Sequence, residues 1–235
     1  MKTVILAGGS GGLGATVAKL AVGRGYRPVI GYLSNRDRAE SVAAEVAAPA
    51  IRGDINNSDV RSALIEAAST SGELYGLAVL VGNPARVSIE TASTEDLLES
   101  FRVNFAGPVL LARDFAAALG GKDGAIVFLS TMQGVGVFSG STVYAAPKAA
   151  LVHTAKILAK QWKIRVNVVA PGVNNAGMAE SSVRSGKYDG FLEKGTIPRF
   201  GAPEDVAKAI LFLLEPDNYI TGQVLTVDGG LSLKM

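Results

Sequence analysis

The chain has 235 residues, 48% of them apolar and 19% charged, with 28 glycines. Twenty-three Lys and Arg against 21 Asp and Glu leave a formal charge of +2. That gives no electrostatic case for a nucleic-acid partner, which needs a clustered basic footprint. The lack of cysteine removes disulfides, thiolate zinc sites and cysteine nucleophiles together, and a single histidine, His153, excludes a multi-histidine metal site.

Short apolar runs alternate with longer segments of helical period. The first run, Thr3–Ala7, is broken by Gly8 and Gly9. It is shorter than a secretory apolar region of about 7–15 residues or a spanning helix of about 20. It reads as a strand, and the expected location is the cytoplasm with no membrane partner. Further strands are predicted at Pro28–Leu33, Leu77–Val81, Ala125–Leu129, Arg165–Ala170 and Val224–Val227, with a weaker one at Ala50–Arg52. Their nearly continuous apolar content suits strands covered on both faces. Helices are predicted at Gly12–Arg24, Arg36–Ala47, Ser58–Thr70, Thr94–Leu119, Thr142–Gln161 and Pro203–Leu214. This order predicts an α/β fold, a doubly wound Rossmann-type parallel sheet in one domain over residues 1–235. Gly172 to Gly201 lacks strong period and is too long for an ordinary connection, which marks a functional segment.

Gly8-Gly9-Ser10-Gly11-Gly12-Leu13-Gly14 follows the first strand and opens the first helix. Glycines there let the backbone turn with positive φ and approach a pyrophosphate closely. The helix start then offers free N–H groups and partial positive charge. The spacing reads as G-x-G-x-x-G through Gly9, Gly11 and Gly14, and equally as G-x-x-x-G-x-G through Gly8, Gly12 and Gly14. A turn without a ligand is the alternative.

Tyr144 and Lys148 stand four apart at the start of a helix, so phenol and ammonium share a face. Bringing a phenol from pKa ~10 to near 7 requires roughly 4 kcal/mol. A cation ~4.5 Å away supplies about 3.7 kcal/mol at an effective dielectric of 20, and about 0.9 in bulk water. A sheltered lysine therefore nearly suffices to acidify the tyrosine.

These motifs, in this order, resemble the short-chain dehydrogenase/reductase family over the whole chain. The resemblance extends to Gly53-Asp54-Ile55, Arg102-Val103-Asn104, Val166–Gly172, Ile197–Val206 and Thr221–Gly230. It implies a seven-stranded parallel sheet, a nicotinamide cofactor and a catalytic set of four residues. By that resemblance Tyr144 is the general acid or base, Lys148 tunes it and holds the nicotinamide ribose, and Asn104 positions a relay water. The family's serine-to-tyrosine spacing of 13 residues leads to Thr131, with Ser130 as the fallback; a threonine hydroxyl makes the same hydrogen bond. The cofactor-binding set implied is Gly8, Ser10, Gly11, Gly12, Leu13, Gly14, Ser34, Asn35, Arg36, Asp54, Ile55, Asn83, Tyr144, Lys148, Pro171, Gly172 and Asn174, with a substrate-loop segment at about 173–200.

Several positions depart from the family pattern. The usual Asn-Asn-Ala-Gly after the fourth strand is Gly82-Asn83-Pro84-Ala85, and Pro84 has no N–H to offer. A threonine expected near the nicotinamide amide is Ala176, which shifts anchoring to backbone groups, Asn174 or Asn175. Pro147, between Tyr144 and Lys148, predicts a local irregularity that keeps both side chains on one face.

No carboxylate follows the second strand until Asp37, where a family member using NAD carries Asp or Glu. Ser34, Asn35 and Arg36 would suit a 2′-phosphate, so NADP(H) is favoured and NAD(H) is the alternative. Gly11 stands where many relatives preferring NADP carry a basic residue. The substrate face is expected to combine Thr131, Gln133, Tyr144, the loop around Val137 and Phe138, and Asn174–Lys194. Arg86 reads as a surface residue or as a contact for an anionic substrate group. The sequence resembles the 3-oxoacyl carrier-protein reductase branch, yet that branch's basic docking positions fall near Ala125 and Trp162-Lys163, where only the lysine could serve. The leading expectation is a reductase interconverting a small-molecule carbonyl and a secondary alcohol. A sugar or polyol dehydrogenase and a non-catalytic dinucleotide sensor are the alternatives. Relatives pair two long helices, so a homo-oligomer, dimer or tetramer, is expected. His153 reads as structural.

Overall fold

The computed structural model describes residues 1–234. Seven parallel strands form one sheet: β1 (Lys2–Ala7), β2 (Arg27–Tyr32), β3 (Ala50–Arg52), β4 (Glu73–Val79), β5 (Ala125–Leu129), β6 (Arg165–Pro171) and β7 (Val224–Val227). Their order across the sheet is β3-β2-β1-β4-β5-β6-β7. The α-helices are α1 (Gly12–Gly23), α2 (Arg36–Glu45), α3 (Ser58–Ser71), α4 (Thr94–Phe101), α5 (Gly107–Leu119), α6 (Thr142–Gln161), α7 (Glu180–Arg184), α8 (Asp189–Glu193) and α9 (Pro203–Leu214).

Strand alternation sends side chains to both faces of the sheet. Val4 and Leu6 join α1 and α9 through Val17, Ala21, Val206 and Ile210. Ile5 and Ala7 face α3, α5 and α6, packing in the cluster of Leu64, Phe115 and Leu151. Both sets are fully or almost fully buried, which is why these strands read as continuous apolar runs. Each such Val, Leu, Ile or Phe side chain contributes about 1.5–3 kcal/mol on burial, and the alanines less.

Beyond shifts of one or two residues at element ends, the structure departs from the prediction in three places. β4 runs Glu73–Val79 instead of Leu77–Val81, because polar Glu73 and Leu74 already pair with β1 ahead of a register shift between Thr3 and Val4. The helix expected over Thr94–Leu119 is divided by a π-helical turn, Arg102–Ala106. That turn carries Asn104. The stretch after β6 is not featureless, since α7 and α8 lie within it.

The chain reverses its direction of strand addition between β1 and β4. A crevice outside the carboxyl ends of strands at such a point is where open α/β sheets bind ligands. The glycine turn after β1, the loop after β4 and the residues after β5 and β6 all meet there.

Candidate active site

The glycine turn closes tightly. Gly8 has φ of +89°, and its N–H donates to Gly31 O at 2.9 Å. A methyl group on Gly14 would stand 2.3 Å from Gly8 O, so this position admits only glycine. Ser10 is buried, and Gly11 caps α1 without any side-chain hydrogen bond. The first backbone bond of the helix runs from Ala15 N to Gly11 O at 2.8 Å. The N–H groups of Gly12, Leu13 and Gly14 therefore face the crevice end of the helix, a cradle whose geometry and partial positive charge fit a pyrophosphate.

A cleft of about 640 Å³ opens beside this turn, with Leu13, Thr131, Gln133, Tyr144, Lys148, Pro171, Gly172 and Asn174 on its walls. Lys148 is 1% exposed, and its Nζ donates to Leu129 O at 2.9 Å and Val81 O at 3.2 Å. It thus ties the ends of β4 and β5 to α6. Burial lowers the Lys148 ammonium to about 8 and raises the Tyr144 phenol to about 12. The expected acidification of Tyr144 is not met in this arrangement. Desolvation dominates, and the ammonium is turned onto two carbonyls.

Thr131 and Ser130 separate by environment. Ser130 is 3% exposed and donates to Lys148 O at 3.1 Å, fixing the turn after β5 to the α6 backbone. Thr131 is half-buried on the cleft wall and accepts from Gln133 N at 3.4 Å. Phe138 lines the cleft as expected, whereas Val137 is fully exposed and stands off it. The irregularity expected at Pro147 is absent: α6 is unbroken through it. The bond that Pro147 cannot make is the one to Val143 O, and Ser100 Oγ donates to that carbonyl at 2.7 Å instead.

Asn104 is fully buried and holds the loop after β4. Its Oδ1 accepts from Asn83 N at 3.0 Å and its Nδ2 donates to Asn83 O at 3.0 Å. The Asn83 side chain accepts from Ala85 N at 3.0 Å around Pro84, leaving Ala85 at φ of +40°. A methyl group on Gly82 would come within 3.2 Å of Asn104 Oδ1, 3.3 Å of Met178 Cε and 3.4 Å of Lys148 Nζ. Gly82 therefore marks where the π turn, the loop after β6 and the buried lysine converge.

Asp54 accepts from Arg102 at 2.6 Å and from the Asn56 backbone and side-chain nitrogens at 2.9 Å. Burial opposes its ionisation, but these donors outweigh that and hold the carboxyl below the ordinary range. Ile55 is buried beside it, and Arg61 braces this loop through Ile55 O at 2.9 Å and Asn56 O at 3.0 Å. At the β2 end, Ser34 and Arg36 are exposed, Asn35 Oδ1 caps α2 by accepting from Arg38 N, and Arg36 pairs with Glu40 at 2.6 Å. Arg52, in register with Tyr32, reaches Leu33 O at 3.4 Å and adds a second guanidinium to this edge. Sequence reasoning missed Arg52; its signal was a cation ending the weak third strand.

After β6, Pro171 is buried and Gly172 N donates to Val227 O at 3.0 Å. Asn174 stays on the cleft wall, where its Nδ2 donates to Gly172 O at 2.9 Å and its buried Oδ1, facing Gly201, has no hydrogen-bond partner among the described residues. Gly177 lies against the glycine turn, 2.7 Å from where a methyl on Gly12 would be. His153 is exposed on α6.

A parallel sheet with a glycine cradle at its switch point, and a tyrosine and buried lysine one helical turn apart, define a nucleotide-dependent oxidoreductase. Comparison with known proteins narrows the class. The family described as enoyl-(acyl carrier protein) reductase matches residues 7–232. A 3-oxoacyl-[acyl-carrier-protein] reductase of Bos taurus is 35% identical, with 100% of this chain and 99% of that protein covered. Carbonyl reductase family member 4 of Danio rerio is also 35% identical over the same shares. A 7alpha-hydroxysteroid dehydrogenase of Bacteroides fragilis is 31% identical, covering 99% of this chain and 95% of its own. A solved short-chain type dehydrogenase/reductase from Mycobacterium ulcerans superposes with a TM-score of 0.92 at 25% identity, covering 99% of this chain and 90% of that one. The chain belongs to the short-chain dehydrogenase/reductase family. It is an oxidoreductase of carbonyl and hydroxyl groups that works with a nicotinamide dinucleotide.

Proposed function

We propose that this protein is an NADP(H)-dependent reductase of small-molecule ketones, reversible as a secondary-alcohol dehydrogenase. The observation that carries this is the convergence of Thr131, Tyr144 and Lys148 on one cleft beside the glycine cradle. The bound nicotinamide supplies or accepts the hydride. In reduction, Tyr144 gives its proton to the carbonyl oxygen, and the Thr131 hydroxyl donates a second hydrogen bond to that oxygen. A phenol raised to about 12 keeps its proton at neutral pH; the shift weakens it as an acid, yet it stays more acidic than the secondary alcohol that forms, so the proton still passes to the developing alkoxide oxygen. Lys148 stands one turn on, and Asn104 keeps the Asn83 loop in place.

The cradle at Gly12, Leu13 and Gly14 would hold the pyrophosphate, and Asp54 and Ile55 lie where the adenine side is expected. Arg36 at the start of α2 and Arg52 at the end of β3 flank the turn after β2, and with no carboxylate on β2 itself they support a 2′-phosphate there. The cleft's charged side chains are Arg86, Lys148 and Lys187, with no Asp or Glu on its walls. That lining favours neutral or anionic substrates over cations. The carrier-protein branch's basic docking positions fall near Ala125, which is buried and uncharged, and near Trp162-Lys163, where only the exposed lysine could serve, which disfavours a carrier-bound substrate. Leu98, Phe101 and Ile157 are exposed on α4 and α6 and suit a homo-oligomer, measurable by light scattering.

Tyr144→Phe tests the reading. It should abolish turnover while leaving dinucleotide affinity, followed by fluorescence titration, unchanged; retained turnover overturns it. Comparing kcat/KM for the two cofactors tests the phosphate site, and a strong NAD preference overturns that part.

A further inference from the structure

We infer that Ser100 is a positioning residue whose hydroxyl ties Asn104 to the Tyr144–Lys148 turn, and that Pro147 makes the tie necessary. This rests on the catalytic reading of Tyr144 and Lys148 given above.

In an α-helix each carbonyl accepts from the N–H four residues on. For Val143 O that donor would be residue 147, which is a proline without an N–H. Val143 is 1% exposed, so water is not at hand to take the donor's place. Ser100, 2% exposed at the end of α4, donates to this carbonyl at 2.7 Å. Its one hydroxyl proton is thereby committed, so toward Asn104 it acts only as acceptor, and Asn104 Nδ2 donates to it at 3.2 Å. The direction of the chain is fixed: Asn104 Nδ2–H to Ser100 Oγ–H to Val143 O. The same amide orientation is demanded by Asn83, whose N–H and carbonyl engage Asn104 Oδ1 and Nδ2.

The tie joins two parts of the site. Val143 immediately precedes Tyr144, and Pro147 immediately precedes Lys148, so the supported carbonyl belongs to the turn that carries both side chains. At the other end, Asn104 fixes the loop whose Val81 carbonyl accepts from Lys148. Removing the hydroxyl leaves a buried carbonyl without a donor and a buried amide proton without an acceptor. Restoring an N–H at residue 147 gives that carbonyl its own helical partner, and the serine becomes partly redundant.

The test is a double-mutant cycle of wild type, Ser100→Ala, Pro147→Ala and the double variant, with Ser100→Thr as the conservative rescue. Each is measured for kcat and KM with ethyl acetoacetate as reference ketone, and for its urea midpoint. Ser100→Ala should lower kcat about tenfold, the size of one lost buried hydrogen bond, with dinucleotide KM within about twofold. In the Pro147→Ala background the same change should lower kcat less than about threefold, and Ser100→Thr should retain most of the activity. Equal losses in both backgrounds, in kcat and in urea midpoint alike, overturn the tie. A loss confined to the urea midpoint, with kcat per folded molecule unchanged, overturns the positioning role. Should Ser100→Ala fold poorly, the double variant supplies the comparison, since restored folding and turnover there support the tie and their failure refutes it. Tyr144→Phe serves as control: retained turnover there sinks the catalytic reading itself, whereas lost turnover with no coupling sinks only the tie.

Discussion

Lys148→Met separates the cost of burying a charge from its use. In the folded protein burial lowers this ammonium to about 8 from an ordinary 10.5. At neutral pH both folded and unfolded chains carry the proton, and the folded one does so at a cost of about 3 kcal/mol. Methionine removes that cost but leaves the carbonyls of Val81 and Leu129 unpaired, at about 1–3 kcal/mol each, so the two effects oppose one another at a single pH. The pH dependence separates them. Above about pH 8 the folded chain releases its proton while the unfolded chain keeps it, so wild-type stability rises with pH. From about pH 7 to about pH 9.5 the gain is about 2 kcal/mol, and Lys148→Met should lack it. Stopping there avoids the opposite contribution of Tyr144, whose phenol at about 12 is destabilising only once unfolded tyrosine begins to ionise. The assay is urea unfolding of wild type and variant at both pH values, comparing differences so that other groups cancel. A gap between the two proteins that stays constant to within about 0.5 kcal/mol would refute the desolvation argument. The variant should also be inactive, as expected where stability is traded for function.

Thr131→Ala should remove most turnover with little effect on folding, whereas Ser130→Ala should lower the melting temperature by removing a buried bond to Lys148 O; steady-state kinetics and calorimetry would expose the reverse pattern. Arg61 is 5% exposed and donates to Asp114, Ile55 O and Asn56 O; Asp114 keeps Arg113 at 2.7 Å, so Arg61→Met should cost about 1–3 kcal/mol in chemical unfolding, chiefly through the buried carbonyls left without a donor. A loss under about 1 kcal/mol would show that these bonds contribute little. Reversing the rim charges with Arg86→Glu and Lys187→Glu should raise KM for a keto acid more than for its neutral ester; equal changes would remove these residues from substrate selection.

The parallel sheet was legible because strands buried on both faces leave continuous apolar runs, and Val4 to Ala7 are an example. The glycine turn was legible because close backbone approach admits nothing else, as at Gly14. What failed to show depends on partners distant in the chain. The π turn at Arg102–Ala106 keeps a helical hydrophobic pattern on either side and so reads as one helix. Pro147 signals a break by its own chemistry, and only Ser100, 47 residues earlier, cancels it. The phenol's upward shift comes from the surrounding depth of protein, which pair spacing does not encode. Asn35 Oδ1 caps α2 and Asn174 Nδ2 braces Gly172, local contacts that residue type alone did not announce.

The π turn also limits how this helix can be altered. It holds one residue more than an α-helical turn of the same rise, so deleting Val103 would let the backbone relax into a regular helix. The rods on either side would keep their phase, because the extra residue is absorbed within one widened turn. Inside that turn Ser100 and Asn104 would stand three apart instead of four, which shifts the Asn104 amide away from the Ser100 hydroxyl and from the Asn83 loop it holds. The irregularity presents a buried amide without altering how the two flanking helices are aligned.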